Sequence, residues 1–458
     1  MCRPYSERSG TACASPASGP GLARIGVKGL IGLLAAACLA APLQVGAEED
    51  YSFDADKYET KAFELRGYVE IEPAYSKSNQ QGALYQLEFF DDDPRDSIFR
   101  LPAALELEGR YRNGAATVSF RTHSSKVWDY THESAEHALY EGLFTLQPDP
   151  GFAFDIGKKA YLWGTGYAWN PVAFVERAKD AGNADLAREG FWTAGFDWIR
   201  SFDGRLKTVA FTPLLLPNDG NVNEEFGQEG HTNIAARLYL LYGNTDIHFM
   251  ALGEGSRSAR YGMDFASNLS PNFEIHGEVA YITDVSLLDV TPECQTRQEA
   301  PDDVFSYLAG LRYRTQADIG IIAEYYYNGA GNRLASQQRF YDCVHRAWET
   351  DDPSLLAGLP VSGDLEQGPF TKPNPMRRYV NLRVWWDEPN NILYFVPAIQ
   401  MLYNLDDNSY SIAPEILYDG IDPLTLRLRL TVPIGDTLTE WGEKPNDYKL
   451  EFRLRYYF

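Results

Sequence analysis

The sequence predicts an all-β chain, a transmembrane antiparallel up-and-down β-barrel of about 18 strands (about 16–18), with short periplasmic turns and long extracellular loops. Three observations predict it. Beyond residue 62, segments of about ten residues alternate apolar and polar side chains. No apolar run after Val45 approaches the ~20 residues that a spanning helix needs. The connections are short and long by turns, a segregation by parity that a soluble sandwich has no reason to have.

The composition fits this architecture. Charged residues are 23% and mean hydropathy is −0.35, which are values of a soluble protein, yet aromatics reach 14% with 29 Tyr. In hydrocarbon every backbone polar group must be paired internally, so a closed barrel spans with one apolar face and leaves its lumen face free to carry charge. Alternation replaces long apolar runs. Tyr325-Tyr326-Tyr327, Trp385-Trp386 and Tyr456-Tyr457 stand near strand ends, where interfacial aromatic girdles form.

The first element is a leader. Arg24 and Lys28 precede the apolar run Gly29 to Val45, and Val45-Gly46-Ala47 supplies small residues before Glu48-Glu49-Asp50. This is a positive region, an apolar region and a cleavage site, so residues 1–47 read as a signal peptide and 48–62 as a short periplasmic segment before a barrel over 63–458. Removing 1–47 takes four basic residues and one acidic residue, so the net charge of −23 becomes −26. Nucleic acid is therefore excluded as a natural partner.

The strands follow in order. FELRGYVEIEPAY (63–75) sets Leu65, Val69 and Ile71 against Glu64, Arg66, Glu70 and Glu72. LPAALELEGRYR (101–112) sets Leu105, Leu107 and Tyr111 against Glu106, Glu108 and Arg110, then turns at Asn113-Gly114. AATVSFRTHS, 152–163, 191–202, 205–215, 231–242, 245–253, 272–284, 304–315, 317–328 and 377–386 continue the pattern. ILYFVPAIQMLYN, SYSIAPEILYD, LTLRLRLTV and LEFRLRYYF complete it. Asp203-Gly204, Gly243-Asn244 and Ser270-Pro271-Asn272 mark short turns, whereas 77–98, 163–190, 215–230, 285–303, 329–376 and 433–446 are long.

The final LEFRLRYYF, with Leu450, Phe452, Leu454, Tyr456 and Phe458 on one parity, resembles the closing strand of bacterial outer-membrane barrels. That resemblance implies recognition by the barrel-assembly machinery through Phe458. The segment FDIGKKAYLWGTGYAWNPV is similar to the G-[KR]-[QK]-x3-WG strand-to-loop segment of porin-like families, including alginate-export-type barrels, at Gly157, Lys158, Lys159, Trp163 and Gly164. The implied class is a porin-like channel in the outer membrane of a Gram-negative bacterium, with outer-membrane lipid and lipopolysaccharide around it and a small solute or polysaccharide as its ligand.

Alternation assigns faces. Arg427 and Arg429 oppose Leu424, Leu426, Leu428 and Leu430, so they point inward, as do Arg312, Arg314, Arg383, Arg453 and Arg455, with Lys159 on an earlier strand. Glu64, Glu70, Glu72, Glu106 and Glu108 point inward on the first strands. Closure sets the two rows side by side, where they either line a permeation path or pair with one another. After strand 152–163, Gly164 and Gly166 allow a sharp bend and Asn170-Pro171 a turn. The loop 163–190, carrying Trp163, Gly164, Gly166, Trp169, Asn170 and Arg177, is long enough to fold back and narrow the lumen, or else lies on the surface.

Cys294 and Cys343 remain after the leader's three cysteines are removed. An even pair in an exported protein reads as one disulfide, here joining two loops on the outer side across two strands. No catalytic or nucleotide-binding motif is present, neither G-x-S-x-G, H-E-x-x-H, a P-loop nor C-x-x-C; the spacing of His123, His132 and His137 could suit a metal in a loop, but they read as loop polar residues. No enzyme, metal or cofactor is expected. Two functions follow. One is a channel for small or extended polar solutes, anionic ones included, narrowed by loop 163–190. The other is a non-conducting barrel that houses or anchors a partner protein of an export or electron-transfer complex.

Overall fold

The computed structural model describes residues 62–129, 133–182, 188–361 and 368–458. The predicted leader (1–47) and nearly all of the segment 48–62 lie outside the described residues, as does His132.

Eighteen antiparallel strands close into one barrel, each paired to the next in sequence. They are β1 (Phe63–Ile71, resumed as Ala74–Ser78), β2 (Ser97–Asn113), β3 (Ala116–Trp128), β4 (Glu133–Asp149), β5 (Phe152–Lys159) and β6 (Phe191–Ser201). Then come β7 (Leu206–Asn218), β8 (His231–Tyr242), β9 (Thr245–Leu252), β10 (Arg260–Ser270), β11 (Phe273–Val285) and β12 (Asp302–Arg314). The last are β13 (Ile319–Tyr327), β14 (Arg378–Trp386), β15 (Phe395–Asn404), β16 (Tyr410–Ile421), β17 (Leu424–Ile434) and β18 (Asn446–Tyr457). β1 is interrupted at Glu72-Pro73, since proline cannot donate to the ladder. Both halves pair with β2 on one side and β18 on the other, through Tyr68↔Tyr457, Ile71↔Leu454 and Ala74↔Glu451. This pairing is the closure.

The alternation that the sequence carries is physically separated by the wall. On β17 Leu428 is 42% exposed on the outside while Arg427 is 4% exposed inside. Phe154, Ile156, Val279, Phe305 and Phe452 also look outward. An apolar outer face with an ionised interior is the inverse of a soluble core.

Several boundaries differ from the expected ones. The strand expected over 152–163 ends at Lys159, so the inward loop starts at Ala160 and Trp163 lies within it. Two outer connections, 129–132 and 405–409, are short, so the parity of loop length is imperfect. Two strands, β4 and β10, were not read out of the sequence. Tyr326 and Trp385 are not girdle residues: Tyr326 stacks on Trp169 (5.2 Å between ring centroids), and Trp385 lies 5.9 Å from the Arg312 guanidinium on the inner face.

The 329–376 region, expected as loop, contains α2 (Leu334–Thr350). Its buried Phe340, Tyr341, Cys343, Val344 and Ala347 recur at helical spacing. They pack with Leu84 of α1 (Ala83–Glu88), with Val290 and Cys294 of a small ribbon (Leu288–Val290 with Thr296–Gln298), and with Phe370. Cys294 and Cys343 are disulfide-bonded with Cα atoms 5.6 Å apart, tying the loop before β12 to the loop after β13. His345 Nδ1 lies 2.8 Å from Gln86 Oε1, and its Nε2 lies 3.0 Å from Glu443 Oε2. Four long loops thus share one packed cap at the long-loop end. Burial alone would lower the His345 pKa, but the hydrogen bond and charge of Glu443 outweigh it and raise it.

Candidate functional site: a charged lumen and its inward segment

Of the 160–190 segment, the described residues 160–182 enter the lumen and are held there by their backbone. Glu278 on β11 accepts N–H bonds from Thr165 (2.6 Å), Gly166 (2.7 Å) and Val172 (3.4 Å). Glu324 on β13 accepts from Tyr167 (2.6 Å) and Ala168 (2.8 Å), and is braced by His276 (3.1 Å) and Asn381 (3.3 Å). Both carboxylates are almost fully buried. A buried carboxylate needs donors on its oxygens, and consecutive free N–H groups of a bent backbone supply them. The two glycines make the approach possible: a Cβ on Gly164 would sit 2.7 Å from Glu278 Oε1, and one on Gly166 would sit 2.1 Å from the Trp169 carbonyl.

Side chains finish the docking. Trp163, Val172, Phe174 and Val175 pack with Leu216 of β7, Leu252 of β9 and Ala280 of β11. Trp169 stacks on Tyr326 and donates to Asn374 (3.2 Å), and Asn170 donates to the Trp163 carbonyl (2.9 Å). Gln400 on β15 donates to the Ala181 carbonyl (2.9 Å), and Arg312 donates to the Tyr167 hydroxyl (3.3 Å). Glu176 accepts from the Trp163 N–H and pairs with Arg188 (2.9 Å). Burial raises its pKa to about 7, against the pull of the Trp163 N–H and of Arg188. Arg177 pairs with Glu189 (2.8 Å) and with Glu225.

The described part of the segment therefore covers the inner wall from β6 to β15, and the closing seam lies beyond it. Along the seam, charges oppose each other. Arg455 donates to Glu70 (2.6 Å), and Arg453 lies 3.8 Å from Glu70 and 4.0 Å from Glu72. Arg427 is 3.4 Å from Glu72 and 3.8 Å from Glu415, Arg429 is 3.8 Å from Glu415, and Arg383 is 3.0 Å from it. With Glu451, which stands across from Arg429 and holds Lys449 (2.6 Å), these six cations share four carboxylates, a net positive stripe. Next to it Glu106 accepts from Tyr68 (3.2 Å) and lies 3.6 Å from His123, while Glu108 holds Arg66. Arg314 pairs with Asp318 and Asp387 at the short-turn end, where Glu64 is exposed at the start of β1. Lys159 lies apart from the stripe, on Asp155 and 4.0 Å from Asp197.

Alternation found the inward charges. It did not single out Glu278, Glu324, Glu415 or His276, although their parity was in the same strings. A cavity of ≈160 Å³ lies between Tyr167, Ala181 and the Arg383–Glu415–Arg427–Arg429 group. It meets a second of ≈340 Å³ that reaches Trp385 and Asp387 near the short-turn end. On the other side of the segment, a cavity of ≈520 Å³ reaches Asn328 and Ala330 at the long-loop end.

No protein-family model matches the chain, and no curated protein matches it in sequence. Among solved structures it is similar to OccK11 (OpdR) of Pseudomonas aeruginosa, at 10% identity and a TM-score of 0.47, covering 86% of this chain and 96% of that one. OccK5 (OpdH) of the same bacterium gives 10% identity and 0.47, covering 86% and 98%. A mutant Rh. blastica porin gives 9% and 0.43, covering 86% and 100%.

Proposed function

We propose that the chain is a porin-like channel of the outer membrane of a Gram-negative bacterium. It passes small or extended polar solutes, with a preference for anions, along the charged seam past the 160–190 segment. The observation that carries this reading is the inward segment itself, fixed by five backbone N–H bonds to two buried wall carboxylates in a barrel whose outer face is apolar. A protein would hardly build a fixed internal constriction except to control passage, and the net positive seam favours carboxylates and phosphates. The chain's own segment takes the space that a partner protein would need, which weighs against a partner-housing barrel.

Further proposals follow from the same reading. Phe458, whose N–H and C=O both bond Gly67 (3.0 Å each), is the residue the assembly machinery would engage before closure. Outer-membrane lipid and lipopolysaccharide would surround the apolar face. The likeness to alginate-export-type barrels is confined to Gly157, Lys158, Lys159, Trp163 and Gly164 and brings no substrate with it.

Conductance of the refolded barrel in planar bilayers tests the reading. Stepwise ohmic insertions are expected, with a reversal potential under a KCl gradient that reports Cl⁻ preference. A barrel that inserts without conducting would leave the partner-housing alternative standing.

A further inference from the structure

The ≈520 Å³ cavity above the inward segment differs from the seam in one respect: among the described residues, three of its cations have no carboxylate in contact. Pro171, Phe174, Phe191, Ile282 and Tyr326 give it apolar walls. Arg177, Lys179, Arg188, Arg257 and Arg260 reach it from the segment, from the loop before β10 and from β10 itself. Arg177 and Arg188, with neighbouring Lys158, are matched by Glu176, Glu189 and Glu225, three cations to three carboxylates. Lys179, Arg257 and Arg260 form no ion pair among the described residues. Lys179 donates to the Gly166 carbonyl (2.6 Å). Arg257 donates to the Phe226 and Phe174 carbonyls, its guanidinium 4.0 Å above the Phe226 ring. Arg260 Nε is buried without a hydrogen-bond partner. Glu176, Glu278 and Glu324 lie within electrostatic range of Lys179, but Glu176 is held by Arg188 and the Trp163 N–H, and the oxygens of the other two are taken by backbone N–H groups of the segment.

Half-buried cations with no carboxylate in contact are costly, and a cavity that gathers three of them is built for an anion to enter. Burial, then the neighbouring Arg188, lowers the Lys179 pKa. Burial, then Arg260 and Arg177, brings that of Arg257 down to about 10. Both shifts are relieved by a negative ligand. The volume lies within the ~300–1,000 Å³ of small-molecule sites, and the mixture of apolar wall and few polar anchors is typical of them. A bare inorganic ion would leave the apolar wall uncovered.

We propose that this vestibule is a binding site for an organic dianion, a solute with two carboxylate or phosphate groups on a compact apolar body. Lys179, Arg257 and Arg260 hold the charges, and Phe174, Phe191 and Tyr326 face the body. The proposal deepens the channel reading, giving the path a selective station before the constriction.

Titration calorimetry of the refolded full barrel at pH 8 tests it with three probes: phthalate, benzoate and inorganic phosphate. Phthalate should bind roughly tenfold or more tighter than benzoate, since one charge-assisted contact is lost. It should also bind tighter than inorganic phosphate, which has the charge without the body. Arg260→Gln and, separately, Lys179→Gln in the inward segment should each weaken phthalate roughly tenfold, whereas Arg205→Gln in the short β6–β7 turn should not. No phthalate binding, equal binding of benzoate or inorganic phosphate, or indifference to both substitutions would overturn the site. The same preparation is tested for conductance in KCl. Conduction without phthalate binding removes the site and leaves the channel; binding without conduction leaves the site and removes the channel.

Discussion

On β11 and β13 the inward carboxylates Glu278 and Glu324 accept backbone N–H groups of the 160–190 segment, whereas on β1 and β16 Glu70, Glu72 and Glu415 face arginines. The residue type and its place on the strand are the same. What differs is the partner. A carboxylate bonded to backbone fixes the shape of the chain, because each bond has a definite direction and the donor cannot swing away. A carboxylate shared among several arginines sets a field and is not bound to one partner in one direction. The covered wall therefore shapes the lumen, and the seam sets its charge.

The comparison breaks most visibly if the covered wall loses its carboxylates. Glu278→Ala together with Glu324→Ala removes the acceptors of five segment N–H groups, at about 1.5–3 kcal/mol for each bond to a charged acceptor. The segment should undock, raising single-channel conductance and open-channel noise with little change in ion preference. Glu278→Gln, which keeps one acceptor oxygen, should fall between. Unchanged conductance in the double variant would mean that the apolar packing of Trp163 and Phe174 alone holds the constriction.

At the seam the expected effect is opposite in kind. Glu72→Gln leaves Arg427 and Arg453 with less counter-charge, so the reversal potential should move further toward anion preference while conductance changes little. Stability should fall by about 1–3 kcal/mol, below the cost of emptying a buried pair altogether, because Arg427 keeps Glu415 and Arg453 keeps Glu70. Denaturant unfolding of the refolded barrel checks the second part. A shift toward cations would show that the carboxylates, not the arginines, govern the path.

How much of this was legible in the sequence follows the same division. Sixteen of the eighteen strands were read from period-2 alternation, because lipid outside and water inside impose it locally. β4 escaped because its pattern slips phase: the register against β3 jumps at Arg121/Thr122, leaving Tyr140 as an extra residue. β10 escaped although Tyr261, Met263, Phe265 and Leu269 alternate outward, because Ser267 interrupts that row and the strand carries its own irregularity at Asn268/Ser270. The inward segment was a hypothesis resting on glycines and length. Its anchors were not legible, because Glu278 and Glu324 lie more than a hundred residues from the N–H groups they bind. Parity says that a glutamate points inward, but not what it meets there.

The smallest predicted effect joins the two kinds of carboxylate in one residue. Glu176 accepts a backbone N–H, as Glu278 does, and faces an arginine, as Glu70 does. Burial raises its pKa to about 7 in the docked segment. Released into water it would return toward the usual ~4.3 of a glutamate. Between those values the docked form binds the extra proton, so docking gains as pH falls from about 7 and loses that gain as pH rises through about 7. Open-channel flicker should therefore be more frequent at pH 8 than at pH 6, and Glu176→Gln, which cannot ionise, should flatten the dependence. If flicker instead rises toward pH 6 in the native barrel, the Glu176–Arg188 pair is what holds this part of the segment, and Glu176 belongs with the glutamates of the seam.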